Sequence, residues 1–147
     1  MQIEAFVVIC ENDCLADANG VMPPELRNDA EWRFFQAGLD RAEVCVLGRK
    51  SHEQTPNVRE RRRLVMSRRV ERAQWEDERT VIWNPDRTSL ALALSMFGAP
   101  VSALAITGGA GRIRSFPAKA GRIYAVSSQP VDECLFGRRD QTFFKAR

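Results

Sequence analysis

Three short stretches combine residue types that can do chemistry. "VCVLGRKS" (44–51) ends an apolar run on Gly48, Arg49, Lys50 and Ser51. "LVMSRRV" (64–70) ends another on Ser67, Arg68 and Arg69, and "ALAITGGAG" (103–111) passes straight into Gly108 and Gly109. A glycine lets backbone approach a ligand closely, and exposed N–H groups suit phosphate. Arginine forks match phosphate oxygens bidentately, lysine supplies a point charge, and serine donates a hydrogen bond. Each stretch also has an ordinary reading, since glycine pairs mark turns and cations are common at strand ends. The GxGxxG dinucleotide fingerprint is absent. Three such ends in one small chain nevertheless point to a phosphorylated cofactor.

The elements that must position these groups read as an α/β domain. "AFVVIC" (5–10), "EVCVLG" (43–48) and "ALAIT" (103–107) are short apolar runs without clean alternation, the mark of strands covered on both faces. "RLVMS" (63–67), "TVIW" (80–83) and "RIYAVSS" (122–128) are further β-rich runs. Between them, "NDAEWRFFQAGLDRA" predicts a helix with Asn28 as cap, Asp29 in the first turn, and Trp32, Phe35 and Leu39 at helical spacing. "DRTSLALALSMFG" predicts a second, with Leu90, Leu94 and Phe97 on one face and Gly98 as its stop. A shorter helix is expected around 112–116. Strands alternating with helices imply a largely parallel sheet in a single domain spanning 1–147.

Composition sets the limits. The 147 residues are 44% hydrophobic and 28% charged, a globular balance, and no apolar run reaches bilayer-spanning length. "MQIEAFVVIC" reads as a first strand and not a signal peptide, so a cytoplasmic protein without membrane association is expected. Cys10, Cys14, Cys45 and Cys134 form no CxxC pair and His52 is the single histidine, which argues for reduced thiols and no metal site. The net charge is only +3, yet Arg59, Arg61, Arg62, Arg63, Arg68 and Arg69 crowd one segment. That local field suits an anionic small molecule; nucleic acid is not the expected partner.

Taken in order, these segments resemble the dihydrofolate reductase superfamily, including the reductase domain of riboflavin biosynthesis. The resemblance spans about residues 3 to 131 and rests on "VCVLGRKSHE", "LVMSRR", "AITGGAGRIRSF" and "RIYAVSS". It implies an α/β fold with a mostly parallel mixed sheet flanked by helices, and NADPH as cofactor. Gly48, Arg49, Lys50, Ser51, Ser67, Arg68, Arg69, Gly108, Gly109 and Ala110 would hold that cofactor, the Ser67–Arg69 end meeting the 2′-phosphate. The family joins its adjacent glycines, here Gly108 and Gly109, by a cis peptide bond. The loop "NDCLADANGVMPPEL" resembles the segment that closes over the nicotinamide, with Ala16 facing cofactor and Met22 facing substrate. Asp29 falls on the family's single acidic active-site residue, with Arg33 and Arg61 as further substrate-side groups. Such a carboxylate can orient a heterocycle and favour the protonated form of the nitrogen beside the hydride acceptor.

Several positions depart from the family pattern. Arg33, one helical turn after Asp29, replaces an apolar aromatic and would either pair with the acid or grip an anionic substrate. Ile113 stands where many relatives have an aromatic hydroxyl near the nicotinamide, Pro24 where bacterial folate reducers commonly carry a tryptophan, and Val126 where the folate enzymes often have a threonine hydroxyl beside the acid. After "SSQPV" the chain is too short for the usual long hairpin, leaving at most one strand such as "TFFKA" and an edge that a second copy could complete in a homodimer. The expected activity is therefore NADPH-dependent hydride transfer to a C=N or C=O bond of a pterin or pyrimidine-type heterocycle. The alternatives are a nucleotide-binding module of the same fold without turnover and, more distantly, a nucleic-acid-binding protein using "RERRRLVMSRR".

Overall fold

A computed structural model of the chain describes residues 1–10, 29–107 and 122–128. Ten elements follow one another: β1 (Gln2–Cys10), α1 (Asp29–Arg41), β2 (Val44–Gly48), α2 (Arg49–Gln54), β3 (Arg63–Met66), β4 (Gln74–Asp77), β5 (Thr80–Trp83), α3 (Leu90–Ser95), β6 (Ala103–Thr107) and β7 (Arg122–Ser128). The strands form one sheet in the order β4-β5-β3-β2-β6-β1-β7. All neighbours are parallel except β4, which returns antiparallel along β5. The architecture is α/β with a mixed sheet, in line with the alternation of strand and helix signals in the sequence.

The unbroken apolar runs have their explanation in the two faces of the sheet. On one face Ile3, Ala5, Val44, Val46, Leu64, Val81, Leu104 and Ile106 pack beneath α3 through Leu94 and Phe97. On the other, Phe6, Cys45 and Ala105 pack beneath Leu39 of α1. Successive strand residues point to opposite faces. With both faces covered, neither set can be polar.

The helices follow the expected signals with two differences. α3 is capped by Ser89, whose Oγ accepts the N–H of Leu92 at 3.3 Å. It begins at Leu90, later than the polar "DRTS" lead-in suggests, because those residues form the turn that closes β5. Gly98 stands just past it at φ +83°, a left-handed backbone that favours glycine as a helix stop. Along α1, Leu39 is buried and Phe35 half-buried, but Trp32 is 59% exposed. Trp32 instead stacks on Phe35, with ring centroids 5.7 Å apart.

Gly38 has a reason to lack a side chain. A Cβ there would lie 2.2 Å from Cε1 of Phe6, whose ring is buried and meets Phe34 and Phe35 edge-on. The glycine lets α1 settle on β1. In a helix interior, Gly→Ala ordinarily gains up to about 1 kcal/mol. Here overpacking against a locked aromatic ring, typically about 1–3 kcal/mol, opposes and exceeds that gain. Gly38→Ala is expected to lower the urea midpoint, and Phe6→Leu in the same chain to restore part of the loss. A midpoint raised by the single change would contradict the packing.

Candidate functional site at the strand ends

The topology selects one crevice. After β2 the chain moves on to β3, away from β1. After β6 it moves the other way, past β1 to β7. Neighbouring strands whose connections diverge define a switch point, where open α/β sheets bind ligands outside the carboxyl ends. Here that point falls between β2 and β6. Val46 lies opposite Ile106 in the pair, so β2 ends on Gly48 while β6 ends on Thr107, the residue before Gly108. Of the glycines singled out in the sequence, Gly48 therefore closes one of the two strands that flank the switch point, and Gly108 is next in sequence after the other.

β3 is the next strand over, with Gly48 opposite Met66 and Ser67 one residue further. At about 4.8 Å between neighbouring strands, the ends of β3, β2 and β6 together cover about 10 Å. Ser67 is buried; its N–H donates to the Trp83 carbonyl at 2.9 Å, and its Oγ accepts the N–H of Arg69 at 3.2 Å. That turn holds Arg68 and Arg69 outward, and both are exposed. Beside them α2 starts directly from Gly48, which has an extended backbone and no side chain to cap the helix. Lys50 is exposed, whereas Arg49 reaches back to Glu53 at 2.5 Å. Among the described residues, no carboxylate or hydrogen-bonding group engages the side chains of Lys50, Arg68 or Arg69.

The arginine-rich segment is thus divided by the strand that runs through it. Arg59 and Arg61 precede β3 and bind Asp40 near the end of α1, Arg59 at 2.6 Å. Arg61 also donates to the side chain of Gln36 at 2.7 Å, while its backbone N–H donates to Asn57 Oδ1 and its carbonyl accepts from Asn57 Nδ2. Arg63, the first residue of β3, is buried; burial draws its pKa down, and its Nη1 donates to the Thr55 carbonyl at 2.8 Å. These three sit at the entry edge of the sheet. Arg68 and Arg69 sit at the exit edge, four strand residues away.

The sequence-derived site residues divide accordingly. Gly48, Arg49, Lys50, Ser51, Ser67, Arg68 and Arg69 are brought together at neighbouring strand ends. Arg61 is not among them, because Asp40 and Gln36 already engage it at the opposite edge. α1 runs antiparallel to β1, with Arg41 at 3.9 Å from Glu4 and Gly38 against Phe6. Its first residue, Asp29, therefore lies toward the exit edge. Asp29 and Arg33 are both exposed, and of the two alternatives for Arg33 the ion pair with Asp29 is not seen among the described residues. Ala16, Met22, Gly108, Gly109 and Ala110, the Gly108–Gly109 bond, Asn28, the short helix at 112–116 and "TFFKA" lie outside the described residues.

Sequence reasoning passed over α2, β4 and His52. His52 Nε2 lies 2.6 Å from Glu76 Oε2, and its Nδ1 lies 3.2 Å from Arg63 Nη1. The only available signal was that this single histidine sits in "GRKSHE" among the candidate phosphate groups. Among the described residues no group of three or more His, Cys, Asp or Glu is placed to hold a metal, and no helix is long and apolar enough to cross a membrane. No known family model matches the sequence, and no curated protein is significantly similar to it.

Two side chains make the electrostatics measurable. Burial pushes the Cys45 thiol up to about 11 from a usual 9.0, so its native thiolate fraction falls about a hundredfold. Iodoacetamide at neutral pH should spare Cys45 in the native protein and label it in urea, as read by peptide mass spectrometry; rapid native labelling would contradict its burial. The hydrogen bond from Arg61 holds the Asp40 carboxyl below its usual 3.8, with the charges of Arg61 and Arg59 adding to the effect. A carboxyl with a lowered folded pKa contributes stability above its unfolded value and loses it as pH falls through the folded one. Below about pH 4, wild type should lose stability faster than Asp40→Asn. Asp40 is 46% exposed, so the difference should stay within about 1 kcal/mol. Parallel acid-unfolding curves would show that the cluster contributes nothing.

Proposed function

We propose that this chain is an NADPH-dependent reductase with a dihydrofolate reductase-like fold, acting on a C=N or C=O bond of a pterin or pyrimidine-type heterocycle. The observation that carries the reading is the meeting of Gly48, Ser67 and Thr107 at the ends of neighbouring strands at the switch point. The segments on which the family resemblance rests occupy β3, β2, β6 and β7, interrupted in the sheet only by β1. Their order in space supports the same fold.

The residues present fit a phosphorylated dinucleotide. Gly48 allows backbone to approach it, and Lys50, Arg68 and Arg69 offer three cations that no described carboxylate neutralises. In this reading Arg68 and Arg69 hold the 2′-phosphate, held outward by the Ser67 turn. Lys50 and Ser51 meet the pyrophosphate. When bound, NADPH supplies the hydride. Asp29, at the start of α1, orients the heterocycle and holds a proton toward its ring nitrogen. The exposure of Asp29 favours a second reading, in which the same site binds a nucleotide without turnover. The division of the arginines between two sheet edges leaves no continuous basic strip along "RERRRLVMSRR", which weighs against nucleic acid as partner.

Titration with NADPH and NADH, followed by tryptophan quenching and nicotinamide fluorescence, tests the reading. Saturable binding with a preference for NADPH is expected. A charge-assisted hydrogen bond contributes about 1.5–3 kcal/mol, so Arg68→Ala with Arg69→Ala should reduce that preference at least about tenfold. An unchanged preference would refute the 2′-phosphate assignment, and no binding of either nucleotide would refute both readings. Binding without NADPH consumption across a panel of pterins and pyrimidines would select the module without turnover. On a confirmed substrate, Asp29→Asn should lower kcat.

A further inference from the structure

α2 presents a physical puzzle. It has six residues and none is buried, so neither length nor a hydrophobic face accounts for its stability. Yet it carries Arg49, Lys50 and Ser51 at the end of β2. What fastens it is polar. His52 bridges to Glu76 of β4 at 2.6 Å and to Arg63 of β3 at 3.2 Å. Arg63 also donates to the carbonyls of Thr55 and Pro56, at 2.8 and 3.4 Å, just beyond the helix C-terminus, where a cation is favoured.

The bond pattern assigns the tautomer. A guanidinium has no acceptor, so Nδ1 of His52 must accept from Arg63, and Nε2 carries the proton donated to Glu76. Both ring nitrogens are then occupied, which leaves His52 no free site for acid–base work on a ligand. We infer that His52, as a neutral Nε2–H imidazole, is a positioning residue. It ties α2 to β3 and β4 and so sets where Arg49, Lys50 and Ser51 stand at the strand end. The link to ligand binding rests on the nucleotide reading above; the fastening of α2 does not.

The experiment separates the two. Amide hydrogen exchange of the ligand-free protein should show Glu53, Gln54 and Thr55 exchanging at least about tenfold faster in His52→Ala. His52→Gln, which keeps one acceptor and one donor, should return exchange to near wild type, whereas His52→Lys, a donor alone, should not. The ¹⁵N spectrum of the wild-type imidazole should show Nδ1 unprotonated and Nε2 protonated. The dissociation constant for NADPH should rise about tenfold in His52→Ala and recover in His52→Gln. Unchanged exchange in His52→Ala, equal rescue by Lys, or a protonated Nδ1 with bare Nε2 overturns the inference. Should wild type bind no NADPH while the exchange pattern holds, the nucleotide reading fails and the positioning role stands.

Discussion

The structure depends on burying the central strands on both faces. β2 and β6 are apolar along nearly their whole length, β3 is apolar after Arg63, and parallel strands of this kind have both faces covered. α3 must cover one face and α1 the other, and α1 can approach only because Gly38 admits the Phe6 ring. With the faces closed, the charged groups of β3 and the turn after it stand at the strand's two ends, Arg63 at one and Arg68 and Arg69 just past the other.

Charge follows the same division. At the entry edge, Arg59 and Arg61 meet Asp40, and Arg63 is buried beneath the end of α2. These contacts join α1, the segment before β3, and α2. They are internal, and an anion would have to compete with carboxylates already in place. At the exit edge, Lys50, Arg68 and Arg69 have no such partners among the described residues. An arginine-rich stretch that looks uniform in sequence thus has two roles, because a strand of four residues carries its halves to opposite ends of the sheet.

Much of the fold was legible from pattern alone. The central strands declared themselves as short β-rich runs, and α3 by its apolar spacing and Gly98. β4 was not legible, because "QWED" is exposed throughout and its one apolar residue, Trp75, gives no alternation; its place comes from hydrogen bonding to β5 across a tight turn and from Trp75 meeting Phe97 edge-on. α2 was hidden for the same reason, with no buried residue to give a period. Trp32 misled in the opposite sense: its spacing is helical, but packing against Phe35 leaves it largely exposed. In the candidate site, residue types at Gly48–Ser51 and Ser67–Arg69 were readable. Arg61 was not separable from its neighbours by type.

The sequence by itself determined which segments must be buried strands and which residues could meet an anion, because hydrophobicity, glycine and arginine carry that information locally. Tertiary structure decided which of those residues share an edge. Strand order, a matter of long-range pairing, places β2 beside β6 and sets Val46 opposite Ile106, 60 positions further along the chain. It also decided the work of His52, whose two nitrogens take their roles from Arg63 and Glu76 on separate strands. No local pattern encodes such a meeting, since it exists only once three elements have packed.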